Sequence, residues 1–344
     1  MRKFFLGLTS LIVGFFLPLS AYAHEVYVLS KDTIERDVAL TSPNPFSMIS
    51  PHRFEFFLWA FISIVTVIAV LMISATRRIE EAIDPLLMRI KKYAPLIARI
   101  TIGMCFIASA YFHALFGPEL PFADFAGSFA PALTLLLSVL GVCFILGFYA
   151  RAAATAALAV FACAVFRYGS YMLTYLNYFG EILVVLFLGG GIHSLDRTIH
   201  HSMTFFKKLR GRFEPYTFLI LRICFGIGIL FASFYAKFLH SQLALDTVIQ
   251  YHLTDYFHFD PLFVVLGAFI IESIVGVFII LGFEIRFTAF VFLVFLTLSL
   301  LYFGEAIWPH IVLLGLNFAL IAHGYDRYTV GALMGKKTHL ETVL

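Results

Sequence analysis

Ionisable side chains stand in this chain where an apolar environment should exclude them. Glu272 sits inside PLFVVLGAFIIESIVGVFIILGF (261–283), near mid-depth if that run crosses a bilayer. A charge there costs about 2.5–3.5 kcal/mol to insert. In the preceding apolar run Arg222, Gly226, Ile229, Ser233, Lys237 and His240 recur at steps of 4, 3, 4, 4 and 3, which places them along one helical face. A buried carboxylate takes up a proton or finds a cation and hydrogen-bond donors. Two chemistries are open to an Arg222–Lys237–Glu272 set facing a bundle interior. It is an ion-pair network that holds helices together, or a pocket for a polar head group in which Glu272 exchanges a proton.

An earlier run repeats the stripe with Arg99, Gly103, Phe106, Ala110 and His113, and small residues on such a face let a neighbouring helix approach closely. Gly276, one turn after Glu272, reads as leaving space beside it. Glu181 lies one turn after Asn177, beside Tyr171, Tyr175 and Tyr178. The tyrosines are an interfacial girdle, or they line a quinone or phenolic site with Glu181. Glu305 stands 21 residues before Asp326 while Glu181 stands 15 before Asp196, so Glu305 is expected at the outer surface and His310 nearer the depth of Glu181. Arg151, Arg286, Asp196 and Asp326 fall at cytoplasmic ends, and Trp59 and Trp308 read as interface anchors.

Metal and thiol chemistry have less support. The histidines 24, 52, 113, 240, 252, 258 and 310 map to one side of the chain's topology, with no HxxxH or HxH pair among them. A mature amino-terminal His24, with His52, is a candidate for copper or another divalent metal through its amine and ring nitrogen. The cysteines at 105, 143, 163 and 224 lie within apolar segments without CxxC spacing, which argues against a dithiol relay and reads as small buried side chains.

These residues have to be positioned by membrane helices. Of 344 residues, 61% are hydrophobic, 13% charged and 41 are Phe, a composition of polytopic membrane proteins rather than soluble domains. No basic stripe suits nucleic acid. The opening MRKFFLGLTSLIVGFFLPLSAYA has the basic start, apolar middle and Ala-x-Ala end of a cleaved signal (1–23). Nine spans follow, at about 54–75, 95–116, 130–149, 152–168, 171–195, 216–239, 261–283, 287–303 and 308–324. Segments 77–92 and 197–212 carry five Lys or Arg each, whereas 117–128, 240–260 and 304–308 carry none. The positive-inside rule then puts the rich segments and the carboxyl terminus in the cytoplasm and 24–53 in the periplasm, in a bacterial-type inner membrane.

The chain also repeats itself. LGVCFILGFYAR (140–151) returns as VGVFIILGFEIR (275–286), YFGE (178–181) as YFGE (302–305), and HSLDR (193–197) as HGYDR (323–327). Four spans per copy make the copies parallel. The expected fold is an all-α polytopic membrane protein: signal peptide, periplasmic segment 24–53, one extra transmembrane helix (54–76) and cytoplasmic linker 77–94. Two parallel tandem four-helix bundles then lie side by side (95–200 and 215–330), joined by the basic linker 201–214 and followed by a cytoplasmic tail (331–344).

Arg222, Lys237, and Glu272 followed by G-x-x-x-x-L-G and Arg286 resemble the DoxX family of small four-helix membrane proteins. The second copy is the closer match: the first has Ala114 in place of Lys237 and Leu137 in place of Glu272. The resemblance implies the fold and, for some members, a membrane subunit of a thiosulfate:quinone oxidoreductase or a partner in a redox-linked complex. The chain has no haem, flavin or nicotinamide motif. It would therefore supply a quinone site in the lipid bilayer while a soluble oxidoreductase subunit supplies electrons. The alternative is a non-catalytic carrier or channel for a small solute, lipid or metal ion.

Overall fold

The computed structural model describes residues 29, 31–75, 85–86, 88–199, 211–256 and 258–333. Residues 1–23, where the sequence reads as a signal peptide, His24, most of the first basic linker, 201–210 of the second and the last eleven residues lie outside the described residues.

In lipid an apolar run must satisfy its backbone polar groups internally, and a helix does so. Among the described residues seven stretches are long and apolar enough to cross a membrane: Arg53–Met72, Ala94–Phe112, Phe122–Leu146, Ala150–Leu188, Gly211–Leu239, Pro261–Leu281 and Ile285–Phe303. Ile307–His323 is equally apolar but shorter. The 39 residues of Ala150–Leu188 would extend about 58 Å at 1.5 Å each, nearly twice a hydrocarbon core. The stretch is in fact two helices packed on each other, separated by a 3₁₀ segment, Gly169–Tyr175, that begins at a positive-φ glycine. With that division the helices correspond one for one to the spans read from the sequence.

In chain order the helices are α1 (Lys31–Ala39), α2 (Arg53–Ala75), α3 (Ala94–Phe112), α4 (Ala130–Leu146), α5 (Ala150–Tyr168), α6 (Leu176–Leu188), α7 (Thr217–Phe234), α8 (Ser241–Gln250), α9 (Pro261–Leu281), α10 (Ile285–Phe303) and α11 (Ile307–His323). Among the described residues one large buried cluster runs through both halves. The first helix of each half packs on the second helix of its own half and on the last helix of the other: α3 on α4 and α11, α7 on α9 and α6. α2 buries none of its apolar window. The segment before it is seated on the second half, where Phe46 meets Phe238 and Phe269 edge-on.

Two devices recur in the halves. The first is a glycine contact. A Cβ on Gly226 would stand 2.6 Å from the Gly276 carbonyl, and one on Gly103 2.9 Å from that of Gly141. The face of small residues therefore seats α7 on α9 and α3 on α4 at backbone distance. It also means that the room expected beside Glu272 at Gly276 is taken up by α7, namely Gly226 and Leu230.

The second device is a buried arginine plug. Arg99 donates to the carbonyls of Gly190 (2.7 Å) and His193 (3.1 Å) and fills the turn at Gly147. Arg222 donates to the Tyr328 carbonyl (3.1 Å), lies 3.8 Å from Asp326 and fills the turn at Gly282. Gly147 and Gly282 have φ of 62° and 64°, and a Cβ at either would collide with the guanidinium. Glycine is required there twice over. At this cation-rich end Asp196 accepts from the amides of Tyr149 and Ala150 at the start of α5, and Arg151 donates to the last carbonyls of α6.

Candidate functional site

At the opposite, cation-poor end the helices enclose a cavity of about 90 Å³. Its walls come from both halves: the 3₁₀ segment and α6 of the first, and α7, α9, α10 and α11 of the second. Phe225, Ile229, Phe292, Leu296 and Leu313 make it largely apolar, and Glu272, His310 and Asn177 face it among these side chains.

Glu272 is 7% exposed and pairs with Lys237 at 3.0 Å. Lys237 lies in a single π-helical turn, Tyr235–Leu239, which continues α7 and closes with the His240 amide on the Tyr235 carbonyl at 2.9 Å. Such turns insert one residue into a helix and occur often at functional sites. The first half has no counterpart: α3 ends at Phe112 with His113 in the left-handed conformation. Ala114 and Leu137, in place of the ion pair, are both buried.

The cavity's second charged element involves Glu305, which the spacing argument put at the outer surface. The structure corrects this: the turn at Gly304 carries Glu305 inward, its side chain 0% exposed, to within 2.9 Å of His310 Nε2. Ser299 Oγ donates to the other carboxylate oxygen at 3.0 Å. His310 Nδ1 lies 2.9 Å from the Ala306 carbonyl. No sequence signal finds this pair, because the five-residue separation acquires meaning only through the turn between α10 and α11.

The first half contributes the tyrosines. Tyr175 and Tyr178 are 3% and 1% exposed and line the cavity with Tyr171, so they form a wall and not an interfacial girdle. Tyr178 donates to the Phe116 carbonyl at 3.0 Å. Tyr171 donates to Glu119 Oε1 at 3.1 Å and Tyr175 donates to the same oxygen. Glu119 belongs to the connection between α3 and α4, outside the spans. Burial pushes its carboxyl up to about 7, against the opposing effect of the tyrosine hydrogen bonds. Asn177 Oδ1 and Thr174 Oγ1, both on the cavity wall, have no hydrogen-bond partner among the described residues.

The other candidates lie elsewhere. Arg222 stands 15 residues before Lys237, about 22 Å along the helix, in its plug, so the Arg–Lys–Glu set is divided between the two ends. Arg99 occupies the equivalent plug. Glu181 is fully buried, accepts from Thr101 Oγ1 at 2.9 Å and does not line the cavity. His113 is exposed, 3.2 Å from Thr134 Oγ1. His52 stacks on Phe263 at 4.9 Å, and no group of three His, Cys, Asp or Glu is arranged to hold a metal among the described residues. Trp308 is no interface anchor: it is 3% exposed and stacks on Phe112 between the halves. Cys105 and Cys224 are buried as expected, whereas Cys163 is exposed.

Comparison with known proteins matches residues 217–305 to the DoxX family model. No curated protein and no solved structure matches the chain. The matched stretch contains Arg222, Lys237, Glu272 and Glu305, while His310 and the tyrosine wall lie outside it.

Proposed function

Because this chain is a DoxX-like, all-helical, multi-pass membrane protein, we propose that it is a membrane subunit of a redox system and holds the head group of a quinone or similar lipid-soluble molecule in the cavity between its halves. The supporting observation is the make-up of that cavity. Apolar walls converge on a few polar groups, Glu272, His310, Asn177 and the tyrosines, as in sites for largely apolar ligands. Asn177 Oδ1 suits the hydroxyl donor of a reduced quinol, its amide NH₂ suits a quinone carbonyl, and the tyrosine rings suit stacking against a ring. Electrons come from a soluble partner subunit. The cation-poor end, and the cavity with it, faces the periplasm in this reading, and the carboxyl terminus the cytoplasm. The recurring glycine contacts and arginine plugs support a duplicated DoxX-like unit of which only the second copy keeps the ion pair.

One observation favours a second reading, a carrier or channel for a small solute. The cavity, about 90 Å³, is smaller than the roughly 150 Å³ that admits benzene. A quinone ring enters only as the walls part, whereas a small polar molecule fits at once. Two measurements separate the readings: mass spectrometry of lipid-soluble molecules co-purified in mild detergent, and titration of protein in nanodiscs with a short-chain quinone. Quinone binding that is lost in Asn177→Leu supports the first reading. Solute flux into proteoliposomes without quinone binding supports the second.

A further inference from the structure

Most polar groups on the cavity wall are satisfied within the protein. Glu272 pairs with Lys237. Both ring nitrogens of His310 are committed, Nδ1 against the Ala306 carbonyl and Nε2 against Glu305. Tyr171 and Tyr175 donate to Glu119, and Tyr178 donates to the Phe116 carbonyl. Thr174 Oγ1 and Asn177 Oδ1 differ from these: both are buried, and neither has a hydrogen-bond partner among the described residues. A buried polar group left unpaired costs stability, and native chains seldom keep one without a use for it.

Local winding explains why the Thr174 hydroxyl is bare. A helical threonine commonly bonds back to the carbonyl four residues earlier, as Thr66, Thr101, Thr134, Thr155 and Thr297 do. Thr174 lies instead in the 3₁₀ segment Gly169–Tyr175, whose tighter turn takes that carbonyl out of line. The same winding brings residues three apart into register, so Thr174 and Asn177 are neighbours, with about 5–6 Å between Cβ atoms. α7 clamps the backbone that carries them: a Cβ on Gly228 would stand 3.5 Å from the Thr174 carbonyl and 3.6 Å from the Asn177 amide nitrogen. Asn177 is 5% exposed, and α7 and α10 face the cavity with Phe225, Ile229 and Phe292.

We propose that Thr174 and Asn177 form a subsite for one hydroxyl group on a ring, so that the cavity takes the reduced, hydroxyl-bearing form of its ligand in preference to the carbonyl form. The inference rests on the cavity being a ligand site, as proposed above. Asn177 Oδ1 can only accept, whereas a threonine hydroxyl both donates and accepts. A ligand hydroxyl placed between them gives its hydrogen to Oδ1 and takes one from Thr174, which satisfies both buried atoms at once. A carbonyl or ether oxygen brings no hydrogen and leaves Oδ1 unpaired, whichever donor it finds itself. The deficit is one buried hydrogen bond, which corresponds to roughly a tenfold preference for the hydroxyl form. Recognition is by hydrogen bonding alone, and no covalent bond breaks.

The test uses the full protein in nanodiscs, kept free of oxygen, and compares a short-chain quinol, the matching quinone and the dimethyl ether of the quinol. Wild type should bind the quinol roughly tenfold more tightly than either of the others. Thr174→Val keeps the side-chain shape without the hydroxyl, and should weaken quinol binding by roughly fivefold to tenfold. Quinone binding should stay unchanged in this variant, because the Asn177 NH₂ still meets the carbonyl. The variant should also melt no lower than wild type, since a methyl replaces a hydroxyl that has no partner in the fold. Equal wild-type affinity for the quinol and either other probe, or an unchanged quinol affinity in Thr174→Val, overturns the hydroxyl subsite and leaves the ligand site standing. Failure of wild type to bind any of the three overturns both. The comparison of probes on wild type does not require the variant to fold.

Discussion

Replacing Glu119 with Gln should remove a pH dependence of stability that the wild-type protein shows between about pH 4.5 and pH 7. The Glu119 carboxyl is raised from its ordinary 4.5 to about 7 in the folded protein, chiefly by burial. In that window the folded state binds more protons than the unfolded one. Stability is therefore highest below the unfolded value, falls as pH rises through the window and levels off above about 7. An interval of about 2.5 pH units at 1.36 kcal/mol each bounds the loss at about 3 kcal/mol. Glu119 as a residue is partly exposed, although its Oε2 is buried, and water reaching it reduces the loss to about 1–2 kcal/mol. Gln keeps a carbonyl oxygen to accept from Tyr171 and Tyr175 but does not titrate. The assay is thermal unfolding in nanodiscs at a series of pH values, read as wild type minus variant so that other titrating groups cancel. A difference that rises with pH, or no difference at all, would refute the reasoning. Because the same two tyrosines line the cavity, binding of a short-chain quinone measured in parallel tests whether the Glu119–tyrosine contact governs the site.

Glu272→Gln leaves Lys237 buried without its counter-charge and should cost about 3–5 kcal/mol, while Glu272→Gln with Lys237→Met should recover most of that stability; the two melting curves decide it. Gly226→Val should destabilise by roughly 1–3 kcal/mol through overpacking against Gly276 and Ile280, whereas Gly267→Ala, with open space around it, should be neutral or stabilising by up to about 1 kcal/mol. A cysteine introduced in place of Ile90 should be shielded from impermeant thiol reagents in intact cells and one in place of the exposed Gln250 labelled, with reversed labelling refuting the proposed orientation.

The sequence alone determined the helices and the residues that cannot face lipid. Apolar runs near the length of a bilayer core admit no other backbone solution, so the spans were legible to within a few residues. The spacing from Arg222 to Lys237 identified the buried face of α7 because helical periodicity is local. The LGF-x-x-R and H-x-x-D-R recurrences fall on the two arginine-plugged turns, whereas YFGE lies inside α6 in one half and across the end of α10 in the other. Depth and partnership were decided only by the tertiary structure. Arg222 and Lys237 share a face, yet the rise of the helix sends them to opposite ends. Glu305 read as a surface carboxylate until the turn at Gly304 brought it onto His310, and the tyrosine row read equally as a girdle or a site wall until α6 was seen to pack on α7. Each of these depends on which helix lies beside which, and here the first helix of each half lies against the last of the other. Contacts between residues more than a hundred positions apart, such as Arg222 with Tyr328, leave no periodic mark on the chain.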